Sequence, residues 1–310
     1  MSSDPRHPSL PIVISASRRT DIPAFYMPWF MRQIEKRRFE ITNPFNRKTS
    51  MVSATPDRVQ TILFWSKNFG PFIEGGYGHT LRGMGYHLFF NFTINSTDSC
   101  LEPHVPPLGE RLKQLEYLCG NFDARTVNWR FDPICFYKNS TGERSDNLGD
   151  LEMIAQKACQ GGIRRCITSF MDDYAKIRKR ILRMPGFAFI DPPIKKKMEI
   201  ILKMKTKLST KGITLSTCCE KELFERLPVG SGIRPSSCIP NDLLMTLFGG
   251  QVSMRQDPGQ RVKAGCGCKV SMDIGSYHLH PCYHNCLFCY ANPENPANPN
   301  SETQNRMTNA

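Results

Sequence analysis

Short apolar runs recur along this chain. Each gives way to a polar loop and then to a stretch with helical spacing. Ile12-Val13-Ile14-Ser15-Ala16 is the first run, a candidate buried strand that ends in Ser17-Arg18-Arg19-Thr20-Asp21. A helix is expected from about Pro23 to Arg37, with proline in its first turn. Thr61-Ile62-Leu63-Phe64-Trp65 repeats the plan and ends in Ser66-Lys67-Asn68. Further strands are expected at His87 to Thr93, at Thr126 to Phe131 (running into Asp132-Pro133), at Arg165 to Phe170, and at Ile213 to Thr217, which ends in Cys218-Cys219-Glu220. Helices are expected near Leu108 to Cys119, Leu148 to Cys159 and Pro193 to Leu208.

Strand, polar loop and helix in repetition mark parallel βαβ units. Strands with only modest alternation fit a sheet covered on both faces. The expected fold is α/β: a partial (β/α) barrel of about six parallel strands, or a strongly curved parallel sheet, over residues 11–250. A doubly wound open sheet is the alternative, although no glycine-rich dinucleotide fingerprint follows the first strand. In a barrel the polar residues after the strands converge on one face, where active sites form. Arg18, Arg19, Asp21, Lys67, Asn68, Arg130 and Asp132 are therefore the candidate catalytic or pocket residues, with Ser66, Ser169 and Glu220 beside them. Past Gly250 the texture changes. Residues 251–292 form a segment dense in Cys, Gly and His, expected to pack on the barrel, and the Asn- and Pro-rich tail 293–310 has the composition of a disordered segment.

Hydrophobic residues make up 40% and charged residues 22% of the 310, as in a globular domain. No apolar run approaches the roughly 20 residues of a membrane span, and Met1 to Pro11 lacks the apolar core of a signal peptide. A cytoplasmic location without membrane partners is expected. The net charge of +13 favours polyanionic partners such as nucleic acid. The basic runs Arg178-Lys179-Arg180 and Lys195-Lys196-Lys197 lie in helical segments, where a solvated face is the simpler explanation.

The 13 cysteines sharpen the picture. Their odd number and a reducing compartment argue against a disulfide framework. Cys119, Cys159 and Cys166 lie in apolar or helical surroundings, as small core residues do. Cys282, Cys286 and Cys289 have the spacing C-x₃-C-x₂-C, and three thiolates from one tight loop can hold three irons of a [4Fe–4S] cubane. Zinc is the competing metal, with His284 or His280 completing the ligand set. A second set, Cys218, Cys238, Cys266 and Cys268, has the donors for a further [4Fe–4S] cluster or one zinc, with Cys219 as a spare neighbour.

The three-cysteine spacing resembles that of radical S-adenosylmethionine enzymes. In them the iron without a protein ligand binds S-adenosylmethionine, and a reducing electron donor starts the chemistry by way of a 5′-deoxyadenosyl radical. The resemblance places Phe288 near the adenine, assigns Tyr290 to the same cofactor site, and through Tyr290-Ala291 points to the spore photoproduct lyase-like branch. Almost end to end, the chain resembles a microbial family of unknown function, DUF1848. The matching stretches are Ile14 to Pro23, Asn43-Pro-Phe-Asn46, Phe64 to Asn68, Trp129 to Pro133, Ser169-Phe170 with Asp172 and Tyr174, Thr217-Cys218, and Gly265 to Cys268 through Asp273-Ile-Gly275 to Asn292. The resemblance implies an iron–sulfur protein acting on a small-molecule or nucleic-acid substrate. One departure stands out: the cysteine loop follows the last βα unit, whereas in radical enzymes it follows the first barrel strand. A circularly permuted barrel reconciles the two, with Ser271 to Ile274 as a strand beside the N-terminal one. No Gly-Gly-Glu stretch for the methionine amino group is present.

Overall fold

The computed structural model describes residues 10–42 and 48–292. The motif Asn43-Pro-Phe-Asn46 and the tail 293–310 lie outside the described residues. Eight strands form the main sheet: β1 (Ile12–Ala16), β2 (Val59–Ser66), β3 (Leu88–Thr93), β4 (Val127–Ile134), β5 (Arg165–Phe170), β6 (Thr214–Thr217), β7 (Arg234–Pro235) and β8 (Met272–Asp273). Every neighbouring pair is parallel. The spatial order is β7-β6-β5-β4-β3-β2-β1-β8. Each crossover thus lays its strand beside the preceding one, the favoured connection for consecutive elements. Only β8 departs from this rule, returning to lie beside β1.

The sheet has eight strands where about six were expected, and it does not close: among the described residues β7 and β8 are its two edges. Strand β7 escapes a pattern search because it is two exposed residues, one of them proline. Two small antiparallel sheets also went unforeseen. One is the hairpin Arg38–Thr42 with Thr49–Ser53, and the other joins Phe136–Lys138, Arg144–Asp146 and Ala188–Ile190. The helix expected from Pro23 to Arg37 is two helices, Ile22–Phe25 and Met27–Glu35, meeting at Tyr26. Pro28 sits in the first turn of the second, where its missing N–H breaks no bond but cannot continue the first.

Alternation along the strands separates two apolar faces. Ile14, Ile62, Phe64, Phe90, Phe92, Trp129 and Phe131 pack with helix residues such as Phe30, Phe72, Leu115, Ile154 and Ile201. Their sequence neighbours Val13, Leu63, Phe89 and Ile167 belong to a second cluster, with Leu244 of the helix Asn241–Phe248 and with Cys218, Cys238, Cys266 and Cys268. Burial on both faces explains why the strands read as nearly continuous apolar runs.

Strand β8 is short, and a carboxylate completes its attachment. Ile14 pairs with Met272 and Ser15 with Asp273. Asp273 then accepts hydrogen bonds from Ser15 Oγ (2.9 Å), Ser17 Oγ (2.6 Å), the Arg18 amide (2.8 Å) and the Gly275 amide (3.2 Å). Gly275 lies so close to Ser17 that an added Cβ would sit 2.1 Å from its Oγ. Gly275→Ala is therefore expected to push β8 away from β1 and cost about 1–3 kcal/mol in urea unfolding. A midpoint equal to that of the wild type would contradict this close approach.

Candidate metal centre

The three-cysteine loop leaves the C-terminal end of β8 and folds over the ends of β1, β2 and β3. Tyr26 donates its hydroxyl proton to the Pro281 carbonyl (2.6 Å), and the Tyr290 hydroxyl donates to the Arg18 carbonyl (3.1 Å). Backbone bonds join the loop to the segment after β3: the Leu287 amide to the Leu101 carbonyl (2.8 Å) and the His104 amide to the His284 carbonyl (3.2 Å). From the other side Arg180 donates to the carbonyls of Leu287 (2.6 Å), Cys289 (3.2 Å) and Asn292 (3.3 Å). Within the loop Asn285 takes a left-handed φ of 53°, and the Ala291 amide points at Cys289 Sγ (3.4 Å).

Asp21 is the internal brace of this arrangement. Its carboxylate caps the helix Ile22–Phe25 through the Ala24 amide (3.0 Å) and accepts from Ser66 Oγ (2.9 Å) and the Lys67 amide (2.8 Å). It also lies 2.8 Å from His284 Nε2. The other ring nitrogen of His284 faces the His104 carbonyl at 3.4 Å, so Asp21 and a backbone carbonyl engage both ring nitrogens. His280 packs against Trp29 and Tyr26, with ring centroids 4.1 and 5.0 Å away.

Lys67 brings a cation to the cysteines. Burial alone would lower its pKa, but Glu102, with Cys286 next, outweighs burial and raises it. Its ammonium bonds Glu102 Oε1 at 2.5 Å and lies 5.2 Å from the centre of the Phe288 ring. Burial pushes all three thiols up, and the Lys67 charge opposes that shift at each of Cys282, Cys286 and Cys289. Asn68 braces the turn after β2, accepting from the Gly70 amide (2.9 Å) and Gln114 Nε2 (2.9 Å).

The second cysteine set is five sulfurs rather than four. Cys218 Sγ is 3.7 Å from Cys219 Sγ and 3.7 Å from Cys238 Sγ. Cys238 also interacts with Cys268, and Cys266 with both Cys268 and Cys219, which closes a ring. Cys218 and Cys219 follow β6, and Cys238 follows β7. Gly267 permits the Cys266-Gly-Cys268 turn to lie against that loop, since a Cβ there would be 2.9 Å from the Ser236 carbonyl oxygen. Cys219 holds a left-handed φ of 58°, a conformation costing about 1–2 kcal/mol for a residue with a Cβ.

Three guanidinium groups surround the ring. Arg130, in the middle of β4, donates to Cys238 Sγ and to Asp132, whose other oxygen accepts from Ser169 Oγ. Arg130 also lies over the Trp65 ring, 5.2 Å from its centre. Burial would weaken the Arg130 charge, yet Cys238, Asp132 and Cys218 together hold its pKa raised. Arg18 pairs with Asp257 (3.2 Å) and Asp273 (3.6 Å) and feels Cys268, while Arg261 pairs with Asp172 and feels Cys219. Arg19 is held by the Gly275 carbonyl (3.0 Å). The paired Arg and Asp side chains thus neutralise each other. Arg18 Nη1 is the exception, buried without a hydrogen-bond partner. Nearby, burial pushes the Glu220 carboxyl up to about 7, although it accepts the Phe170 amide (2.8 Å).

Among the described residues no group of three or more Cys, His, Asp or Glu side chains is arranged to hold a metal ion. A cubane asks for something different from one ion, because it spreads its thiolates around a body of eight atoms. The donors suit it: one buried and two half-buried cysteines on one loop, an amide aimed at a sulfur, and a cation at hand.

The family model described as Domain of unknown function (DUF1848) matches residues 13–291. The chain belongs to that family. No curated protein matches it. The stretches that resemble this family fall toward the C-terminal ends of the strands: Ser17-Arg18-Arg19 after β1, Ser66-Lys67-Asn68 at β2, Arg130 to Pro133 in β4, Ser169-Phe170 in β5, Thr217-Cys218 at β6 and Asp273-Ile-Gly275 at β8. Two residues at these strand ends were not picked out as site residues in the sequence: Arg180 was hidden in a basic run that reads as a solvated face, and Cys219 looked like a spare. Asp21→Ala is expected to cost about 3 kcal/mol in unfolding experiments, because it leaves several buried donors without an acceptor. A loss below about 1 kcal/mol, the value of one ordinary hydrogen bond, would show that Asp21 does not brace the loop.

Proposed function

We propose that this protein is an iron–sulfur enzyme of the radical S-adenosylmethionine type, with Cys282, Cys286 and Cys289 as the ligands of a [4Fe–4S] cluster. The parallel pairing of β8 with β1 carries the assignment. In spatial order β8 precedes β1, so the three-cysteine loop follows the first strand of the sheet, where a permuted partial barrel would carry it. No helix among the described residues is long and apolar enough to cross a membrane.

Such a cluster, with S-adenosylmethionine on its fourth iron and an external reductant, supplies one-electron cleavage of a carbon–sulfur bond. The chain's own residues do the rest. Lys67 offsets the charge of three thiolates, and Glu102 keeps that ammonium in place. Phe288 would give the adenosyl group an apolar wall, and Tyr290 fixes the end of the loop to the segment after β1 through the Arg18 carbonyl. Arg18 Nη1 is a buried donor open to an acceptor group on the bound molecule. Arg130 and Asp132 position each other, which leaves the end of β4 rigid beside the site. The substrate is a small molecule or a nucleic acid.

Anaerobic purification tests the proposal. Changing Cys282, Cys286 and Cys289 together to Ala should remove about four irons and four sulfides per chain. It should also abolish release of 5′-deoxyadenosine from S-adenosylmethionine under reducing conditions. Unchanged iron in this variant, or zinc in place of iron in the wild type, would contradict the assignment.

A further inference from the structure

The five-sulfur ring lies apart from the three-cysteine loop, and the chemistry proposed above makes no use of it. One member differs from the rest. Cys218, Cys238, Cys266 and Cys268 are buried, whereas Cys219 is half-buried and lines a polar cavity of about 410 Å³ with Glu220, Lys221, Glu222 and Lys263. The ring thus meets the outside through Cys219. This residue also holds the left-handed φ of 58°. A side chain persists in that conformation only where its surroundings over-determine it, and such positions gather at functional sites.

One short segment brings Cys219 both of its chemical neighbours. Arg261 and Cys266 flank the turn Val262–Ala264 and Gly265, and the Cys266 amide donates back to the Arg261 carbonyl (3.1 Å). Arg261 acts on Cys219 through its charge, and Cys266 through its thiol. Gly265 makes the approach possible. Its φ is 89°, and a Cβ there would lie 3.1 Å from the Cβ of Lys221, just past Cys219 in the chain. Gln256 Nε2 steadies the segment by donating to the Cys266 carbonyl (2.6 Å).

A guanidinium beside a sulfur favours the thiolate. Oxidant-reactive cysteines are accessible, have such a cation nearby and stand next to a second, resolving thiol. Cys219 meets each condition. Cys218 is close, with its Sγ 3.7 Å away, but it is the wrong partner. Adjacent Cα atoms across a trans peptide stand about 3.8 Å apart, and a disulfide normally spans about 4.4–6.8 Å between Cα atoms. Cys266 comes from another loop and escapes that constraint. Cys100 is exposed, yet burial of its sulfur and the Asp98 carboxylate push its thiol up.

We propose that Cys219 and Cys266 form a peroxide-reactive dithiol, with a small hydroperoxide entering through the cavity as the oxidant. The Cys219 sulfur attacks the terminal oxygen of the O–O bond, and that bond breaks. Sulfur keeps the hydroxyl as a sulfenic acid. The other oxygen takes the thiol proton and leaves as an alcohol, or as water when the oxidant is hydrogen peroxide. The Cys266 thiol then attacks the sulfenic sulfur, which forms the S–S bond and releases water. The thiols are oxidised by an electron pair and the hydroperoxide is reduced by it. An external dithiol restores the reduced site, so the disulfide is transient where thiols are kept reduced. No thiol of the three-cysteine loop takes part, and this chemistry stands whether or not that loop holds a cluster.

Peptide mapping tests it. Full-length protein is reduced, freed of reductant and titrated with hydrogen peroxide until the first cysteine outside the three-cysteine loop is oxidised. Remaining thiols are alkylated and the peptides mapped by mass spectrometry. A pair joined through Cys219 and Cys266 is expected, and dithiothreitol should split it. Cys266→Ser should lose that pair and leave a Cys219 sulfenic acid that dimedone captures, whereas Cys219→Ser should lose both products. A Cys219 that keeps its free thiol while another of these cysteines is oxidised would overturn the proposal, and so would a first link from Cys219 to Cys218. If a Ser variant does not fold, the wild-type map alone decides between these outcomes. With Cys282, Cys286 and Cys289 changed to Ala the joined pair should persist, which separates failure of this site from failure of the cluster.

Discussion

Asp273 ties the two ends of the described chain together. Its carboxylate gathers the hydroxyls of Ser15 and Ser17 and the amides of Arg18 and Gly275. Two strand residues alone make too little ladder to hold an edge, and the charged hydrogen bonds supply what the ladder lacks. The placement of the cysteine loop follows from this attachment. Cys282 follows Gly275 by seven residues, and Arg18 is held between the loop and the second cysteine set by Asp273 and Asp257.

Charge is distributed around the sulfurs with care. Lys67 attends the first set, and Arg130, Arg18 and Arg261 attend the second. Each cation has its own carboxylate: Glu102, Asp132, Asp257 with Asp273, and Asp172. A lone buried cation would be expensive, and pairing lowers that cost while leaving the positive end turned toward sulfur. The formal excess of +13 thus has a partly internal use. Arg180 and Lys197, from the two basic runs, also turn to structural work, Arg180 on the cysteine loop and Lys197 on Asp191.

Six strands of the sheet were legible in the sequence because each is a buried run rich in β-branched and aromatic residues; Arg165–Phe170 agrees at both ends. The strand beside β1 was legible only through its permuted logic, since Met272–Asp273 has no periodicity to detect. Strand β7 and the small antiparallel strands are too short for any pattern. Cysteine spacing pointed to both thiol sets, but their surroundings depend on contacts between residues far apart in sequence. Asp21 to His284, Lys67 to Glu102 and Arg130 to Cys238 are such contacts. His284 illustrates the limit: its place between two cysteines reads as a metal ligand, and the fold turns it toward Asp21.

The central claim is that three thiolates at the end of β8 leave one iron open to an outside ligand. Electron paramagnetic resonance of the anaerobically reduced protein, recorded with and without S-adenosylmethionine, tests this directly. The account predicts that the cofactor shifts the spectrum of the cluster on Cys282, Cys286 and Cys289. A reduced cluster whose spectrum is the same with saturating cofactor would contradict it.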